Sequence, residues 1–206
     1  MSDASVFGVD LGPLPSPAST RRAKRRERTR QALLQAGERL LGSQGYHATT
    51  VAQVAQAADI GVGTFYLYFR DKDDLAETIL RDGLQALKQR LEARMPDVLS
   101  ERRIAVLLAE ILAAAKTRPD LFQMAFTTRG TLSLTLEAQS WLAGQIADAL
   151  RAGALGAGPN DLLLTGRLVA GMVTQAIAWW CDHPEPGPEA MTTRILALLR
   201  AGGEVS

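Results

Sequence analysis

Residues Thr49–Leu75, TTVAQVAQAADIGVGTFYLYFRDKDDL, constrain the fold more than any other part of this chain. Val51, Val54, Ala55 and Ala58 recur at i, i+3, i+4 and i+7, one apolar stripe of a helix, and Thr49 and Thr50 just ahead supply cap hydroxyls. Asp59-Ile60-Gly61 then breaks the pattern. Asp tolerates a left-handed backbone, Ile60 can plug the gap between helices, and Gly has no Cβ to clash. A second helix is expected to start near Gly61 or Val62. In it Phe65, Tyr68 and Phe69 face inward, with the Tyr68 hydroxyl reaching out, while Val62, Gly63 and Tyr66 lie on the opposite side. Two short helices joined by a tight turn read as a helix-turn-helix, the second of them free to meet a partner.

Duplex DNA fits that free face. A helix about 10–12 Å across enters the major groove, and this motif presents the first turn of its second helix to base edges. Gly63 and Thr64 are small, Val62 suits a thymine methyl, and the Thr64 and Tyr66 hydroxyls suit phosphates or base edges. Asp71-Lys72-Asp73-Asp74-Leu75 reads as the cap and first turn of a further helix, with Lys72 placed to neutralise another phosphate. The alternative is a helical subdomain whose aromatics only fill a core.

Charge distribution supports DNA. The net charge of +1 advertises nothing, but Arg21, Arg22, Lys24, Arg25, Arg26, Arg28, Arg30 and Arg39 crowd the segment Thr20–Leu40 beside the motif. Arg28 and Arg30, nearest the domain, are the expected phosphate contacts; a solvated charge run is the alternative. Met1 to about Ser19, with Pro13, Pro15 and Pro17, reads as a flexible tail, and a helix from about Arg22 to Ser43 is expected to end at Gly42 and Gly45.

Gly45-Tyr46, Thr49-Thr50-Val51, Val54-Ala55, Gly63-Thr64-Phe65-Tyr66, Tyr68-Phe69 and Lys72-Asp73-Asp74-Leu75, in this order and spacing, resemble the TetR family of bacterial transcriptional regulators. The resemblance covers the N-terminal third beyond the tail. It implies DNA-contacting positions at Thr49, Thr50, Gly63, Thr64, Tyr66, Tyr68 and Lys72. Two positions depart from the family pattern: Asp59 replaces the usual Gly after the second helix, and Gly61 the usual Ser at the recognition helix N-cap, which removes a hydroxyl.

The remainder, residues 73–206, has helical periodicity and no strand pattern, so the fold is expected to be all-α: a tail (1–19), a three-helix DNA-binding domain (20–72) and a helical ligand-binding and dimerisation domain (73–206). Helices are expected from Asp73 to Pro96, Arg102 to Lys116, Leu136 to Ala152, Asn160 to His183 and Glu189 to Arg200, with a short segment Asp120–Phe126 and an irregular stretch Thr127–Thr135. The helix after Asn160 is apolar around most of its circumference and needs cover on two sides. Gly166, Ala170, Gly171 and Thr174, with Ile195, Leu198 and Leu199 of the last helix, suit a four-helix bundle with a second copy; a monomer core is the alternative. The resemblance implies dimerisation through these last two helices, hence a near-palindromic operator with half-sites about 34–36 Å apart or a little more.

Phe122, Met124, Phe126, Trp141, Met172 and Trp179, with Arg129, Gln139 and Gln175 as polar partners (Thr128 a further option), are candidates to line a small-molecule pocket; filling the core is the alternative. By resemblance an inducer would shift the dimer between arrangements that space the DNA heads differently. Cys181, His183 and Glu185 straddle a helix end and do not make a metal site, and no phosphate-cradling loop, nucleophile elbow or paired carboxylates point to an enzyme or a cofactor. The lone Cys181 suits a reducing compartment, no signal peptide is evident, and no apolar run reaches the roughly 18 residues of a membrane span, so a cytoplasmic protein is expected. The expected function is a homodimeric regulator, most naturally a repressor, released from a double-stranded operator by a hydrophobic or amphipathic inducer. A regulator governed by protein contacts, and an all-α ligand-binding or catalytic protein with a vestigial motif, are the alternatives.

Overall fold

A computed structural model describes residues 17–95, 102–127, 132–152, 162–183 and 185–203. Its order is α1 (Pro17–Ala48), α2 (Val51–Ala57), α3 (Val62–Phe65), α4 (Lys72–Arg94), α5 (Arg103–Thr117), α6 (Pro119–Thr127), α7 (Leu132–Arg151), α8 (Leu162–Asp182) and α9 (Pro188–Gly203). Among the described residues there is no strand.

Two apolar clusters organise these helices. The first gathers Leu33, Leu41, Val54, Ala55, Phe65, Phe69, Leu75 and Ile79 around the helix-turn-helix. The second joins α5, α7, α8 and α9 through Leu108, Leu112, Ile146, Val173, Trp180 and Ile195. α4 serves both, giving Leu75, Ala76, Ile79 and Leu80 to the first and Leu91 to the second. Met124 of α6 and Leu134 of α7 also enter the first cluster, so the C-terminal helices reach into the N-terminal core.

Several boundaries differ from the sequence expectation. α1 begins at Pro17 inside the expected tail, as Pro suits a first helical turn, and it runs past Gly42. The break falls at Gly45, whose φ of 80° is left-handed. α7 starts at Leu132 in the stretch read as irregular: Leu134 is buried in the first cluster and the Thr135 hydroxyl donates to the Ala125 carbonyl at 2.8 Å, contacts that local sequence does not announce. The expected helix end at Pro96 and the expected helix start at Asn160 lie outside the described residues. α8 also corrects an expectation, since it is long and apolar enough, by length and composition, to cross a membrane. Yet it is a wall of the helical body, closest to α7: a Cβ on Gly166 would lie 2.4 Å from the Ala143 carbonyl oxygen.

Candidate nucleic-acid interface and inter-domain cavity

Capping builds the reader. Thr50 is the α2 N-cap; its hydroxyl accepts from the Gln53 amide at 3.2 Å while the Gln53 side chain accepts from the Thr50 amide at 2.8 Å, a capping box. α2 ends with Asp59 at φ 55°, the Ile60 amide donating to Ala55 and the Asp59 amide to Gln56, both at 3.0 Å. This Schellman-type turn needs a left-handed residue, and Asp fills the place usually given to Gly. α3 is one turn, capped by Gly61 without a side-chain hydrogen bond; the backbone continues to coil, and the Phe69 amide reaches the Phe65 carbonyl at 3.1 Å.

That coil sorts the aromatics as their spacing requires. Phe65 and Phe69 are buried, Tyr68 is half-buried, and Val62, Gly63 and Tyr66 face solvent, Tyr66 with 56% of its surface exposed. Thr64 is half-buried, and Thr50 and Arg28 are exposed. Arg30 lies over the Phe69 ring at 5.8 Å and Arg26 over Tyr68 at 5.9 Å. These cations therefore stand beside the reader.

Two of the expected DNA contacts are otherwise engaged. Thr49 is 1% exposed, its hydroxyl donating to the Gly45 carbonyl at 2.8 Å, so its side chain fastens the loop ahead of α2 and is not presented to DNA. Lys72 gives its ammonium to the Tyr46 and Thr49 carbonyls at 2.7 and 2.9 Å and sits 4.1 Å from the Tyr46 ring centre. Burial pushes its pKa down, and the two carbonyls hold the charge inside. Lys72 is thus a tie between α4 and the loop before α2, and the Tyr46 hydroxyl completes it by donating to Asp73. Asp71 caps α4 as expected, accepting from the Asp74 amide at 2.8 Å.

A cavity of about 830 Å³ opens between the two clusters. Phe122 and Phe126 of α6, Trp141 and Gln139 of α7 and Ile177 of α8 line it, as do Gln31, Gln35 and Glu38 of α1 and Gly83, Leu87 and Arg90 of α4. Of the pocket residues expected from sequence, Phe122, Phe126, Gln139 and Trp141 are brought together. Met124 is instead buried in the N-terminal core, Met172 packs against the C-terminal core, and Gln175 and Trp179 face outward on α8. Arg129 and Thr128 lie outside the described residues. The α1 and α4 walls escaped the sequence reading because polar residues on a helix give no sign of which neighbour they face.

The expected dimer face also needs correction. Gly166, Ala170 and Ile195 are buried within the subunit, and Thr174 lines the cavity, its hydroxyl bonded to the Ala170 carbonyl at 2.7 Å. Gly171 and Leu199 are half-buried and Leu198 is exposed. The open apolar surface of α8 is formed by Leu164, Leu168 and Trp179, with Leu163 alongside. Leu164, Leu168, Gly171, Gln175 and Trp179 follow one another at helical spacing on one face. A group of three or more metal-ligating side chains is absent among the described residues.

An N-terminal helix-turn-helix borne on a larger helical body defines a DNA-binding transcriptional regulator. The family described as "Bacterial regulatory proteins, tetR family" matches residues 33–79. The fatty acid metabolism regulator protein of Bacillus subtilis is 22% identical over 181 residues, covering 82% of this chain and 93% of the relative. The solved fatty acid degradation regulator FadR of Bacillus halodurans superposes with a TM-score of 0.69 at 18% identity, covering 84% of this chain and 95% of that one. The Bacillus subtilis FadR in complex with stearoyl-CoA gives 0.68 at 17% identity, covering 84% and 98%. Residues 33–79 of this chain therefore carry a DNA-binding domain of the kind found in TetR-family transcriptional regulators.

Proposed function

We propose that this protein is a homodimeric, one-component transcriptional repressor that is released from a near-palindromic operator by an amphipathic small molecule. Residues 20–72 would read DNA through Val62, Gly63, Thr64 and Tyr66, helped by Thr50, Tyr68, Arg28 and Arg30, while residues 73–206 sense and dimerise. A cytoplasmic location goes with this role.

One observation carries the sensing half of this reading. The cavity walls belong both to α1 and α4, which hold the reader, and to α6, α7 and α8 of the body. A ligand filling that space acts on the joint itself. Its volume lies in the range of small-molecule sites, roughly 300–1,000 Å³. The Phe122, Phe126 and Trp141 side chains suit an apolar chain, and the charged rim of Arg90, Arg118 and Glu38 suits a polar head. The fatty-acid-related names of the two FadR structures and of the Bacillus subtilis relative favour an acyl compound as the first to try. Binding one arrangement better by about 1–3 kcal/mol lowers operator affinity some 5- to 150-fold.

The dimer half is supported by Leu164, Leu168, Trp179 and Leu198, large apolar side chains left in solvent by a single subunit. The experiment is a gel shift of the purified protein on DNA flanking its own gene, with and without stearoyl-CoA, alongside a thermal-shift titration. Sequence-selective binding relieved by the acyl compound, with a rise in melting temperature, is expected. Absence of selective binding removes the regulator reading; selective binding indifferent to acyl compounds removes only this ligand class.

A further inference from the structure

α1 overshoots the domain it belongs to. Its first fully buried residue is Leu33, and Arg21 through Arg28 are all exposed. At 1.5 Å per residue the turns from Pro17 to Arg28 extend roughly 17 Å, a length matching about five base pairs of duplex. Arg22, Lys24, Arg25, Arg26 and Arg28 lie in these turns, and among the described residues no carboxylate pairs with any of them; the local acid, Glu27, accepts instead from Gln31 at 2.9 Å. The exposed, like-charged side chains from Arg22 to Arg28 gain little from the fold itself and leave the positive charge open to an anionic partner.

Its direction says what that is. Arg26 and Arg30 lie over the rings of Tyr68 and Phe69, the residues that follow α3, so this edge of α1 adjoins the reader. Arg22, Arg26 and Arg30 stand at i, i+4 and i+8, one line along the helix, which continues the basic edge outward from the reader. We propose that the overhanging turns of α1, through Arg22, Arg25 and Arg26, are a second DNA-binding element that grips duplex phosphates flanking the operator. The inference rests on the DNA-reading function above and adds to it a longer footprint. Contacts of this kind strengthen binding and steepen its salt dependence without altering which bases are preferred.

The test uses the full chain and a duplex that the wild-type protein selects from random sequence, with 12 base pairs of flank retained or trimmed. In the double variant Arg22→Gln/Arg25→Gln, glutamine keeps helix propensity and the positions are exposed, so circular dichroism should be unchanged. The slope of log affinity against log salt should fall by about 0.9 for each phosphate that is no longer neutralised, hence by about two or more for a dimer. Trimming should weaken the wild type and leave the variant indifferent, with base preference the same in both. Equal slopes and equal response to trimming overturn the proposal while the reader stands. A wild type that selects no duplex removes the reader as well. If the variant keeps its DNA slope but loses binding to phosphatidylglycerol vesicles, the overhang is a membrane-surface segment and the proposal is wrong.

Discussion

Arg118, at the joint of α5 and α6, donates through Nη1 to the Glu38 carboxylate of α1 at 2.5 Å, while Nη2 and Nε hold Asp120 at 2.9 and 3.1 Å. Asp120 first, and Glu38 after it, raise the guanidinium pKa further above its ordinary value. Helix α1 and the first turn of α6 are thereby clasped by one cation at the cavity wall. A double-mutant cycle of Glu38→Gln and Arg118→Gln in urea should give a coupling of about 0.5–1 kcal/mol, modest because the side chains are 48% and 33% exposed. Strict additivity would remove the clasp.

Lys72→Met leaves the Tyr46 and Thr49 carbonyls without their cation. The expected loss is about 1–3 kcal/mol of stability, read from the urea midpoint. Operator affinity per folded molecule should change far less than for Tyr66→Ala, because Lys72 acts here on the loop before α2. A lysine that mainly served a phosphate would show the opposite order and a reduced salt slope.

Lys88, buried between α4 and α7, donates to Glu137 at 2.8 Å and thereby holds the Glu137 pKa below its ordinary value. A carboxyl with a lowered folded pKa stabilises the fold above its unfolded pKa, and that contribution is lost as pH falls through the folded one. The window therefore opens at about pH 4.3 and lies below it. Glu137 is half exposed, so the contribution is about 0.2–1 kcal/mol. Glu137→Gln should flatten this part of the acid limb in urea midpoints taken between pH 6 and pH 3.

Burial pushes the Cys181 thiol up to about 11, with Asp182 adding to the shift. At pH 8 about one molecule in a thousand carries the thiolate, against roughly a quarter for a free cysteine. Iodoacetamide labelling followed by mass spectrometry should be slow in the native protein and fast in urea. Equal rates would show that the thiol is open and unshifted.

Leu168→Arg with Leu198→Arg places charge on surfaces already in solvent in the single subunit. The variant should keep its helical content and sediment as a monomer, with operator affinity down at least a hundredfold. An unchanged sedimentation coefficient would remove Leu168 and Leu198 from the proposed dimer contact.

What the sequence made legible was local. Val54, Ala55, Phe65 and Phe69 are buried, and Asp59 is left-handed, because a tight turn and two short helices are specified by neighbours in the chain. α8 was not legible in the same way. A helix apolar all round carries no polar face to fix its rotation, and Gly166 and Ala170, suited to close approach by another subunit, face the subunit's own interior. The cavity was half legible: aromatics of α6 and α7 signal themselves, whereas Gln31, Gln35 and Arg90 enter only through the way α1 and α4 lie against the body.

α3 is a single turn of four residues, shorter than any helix that persists alone in water. The shape shown to a groove is on loan from the packing behind it, above all from Phe65 and Phe69. Residues that never touch a nucleotide therefore belong to recognition as much as to folding, and a softened interior would blur discrimination between bases while attachment to the backbone persisted.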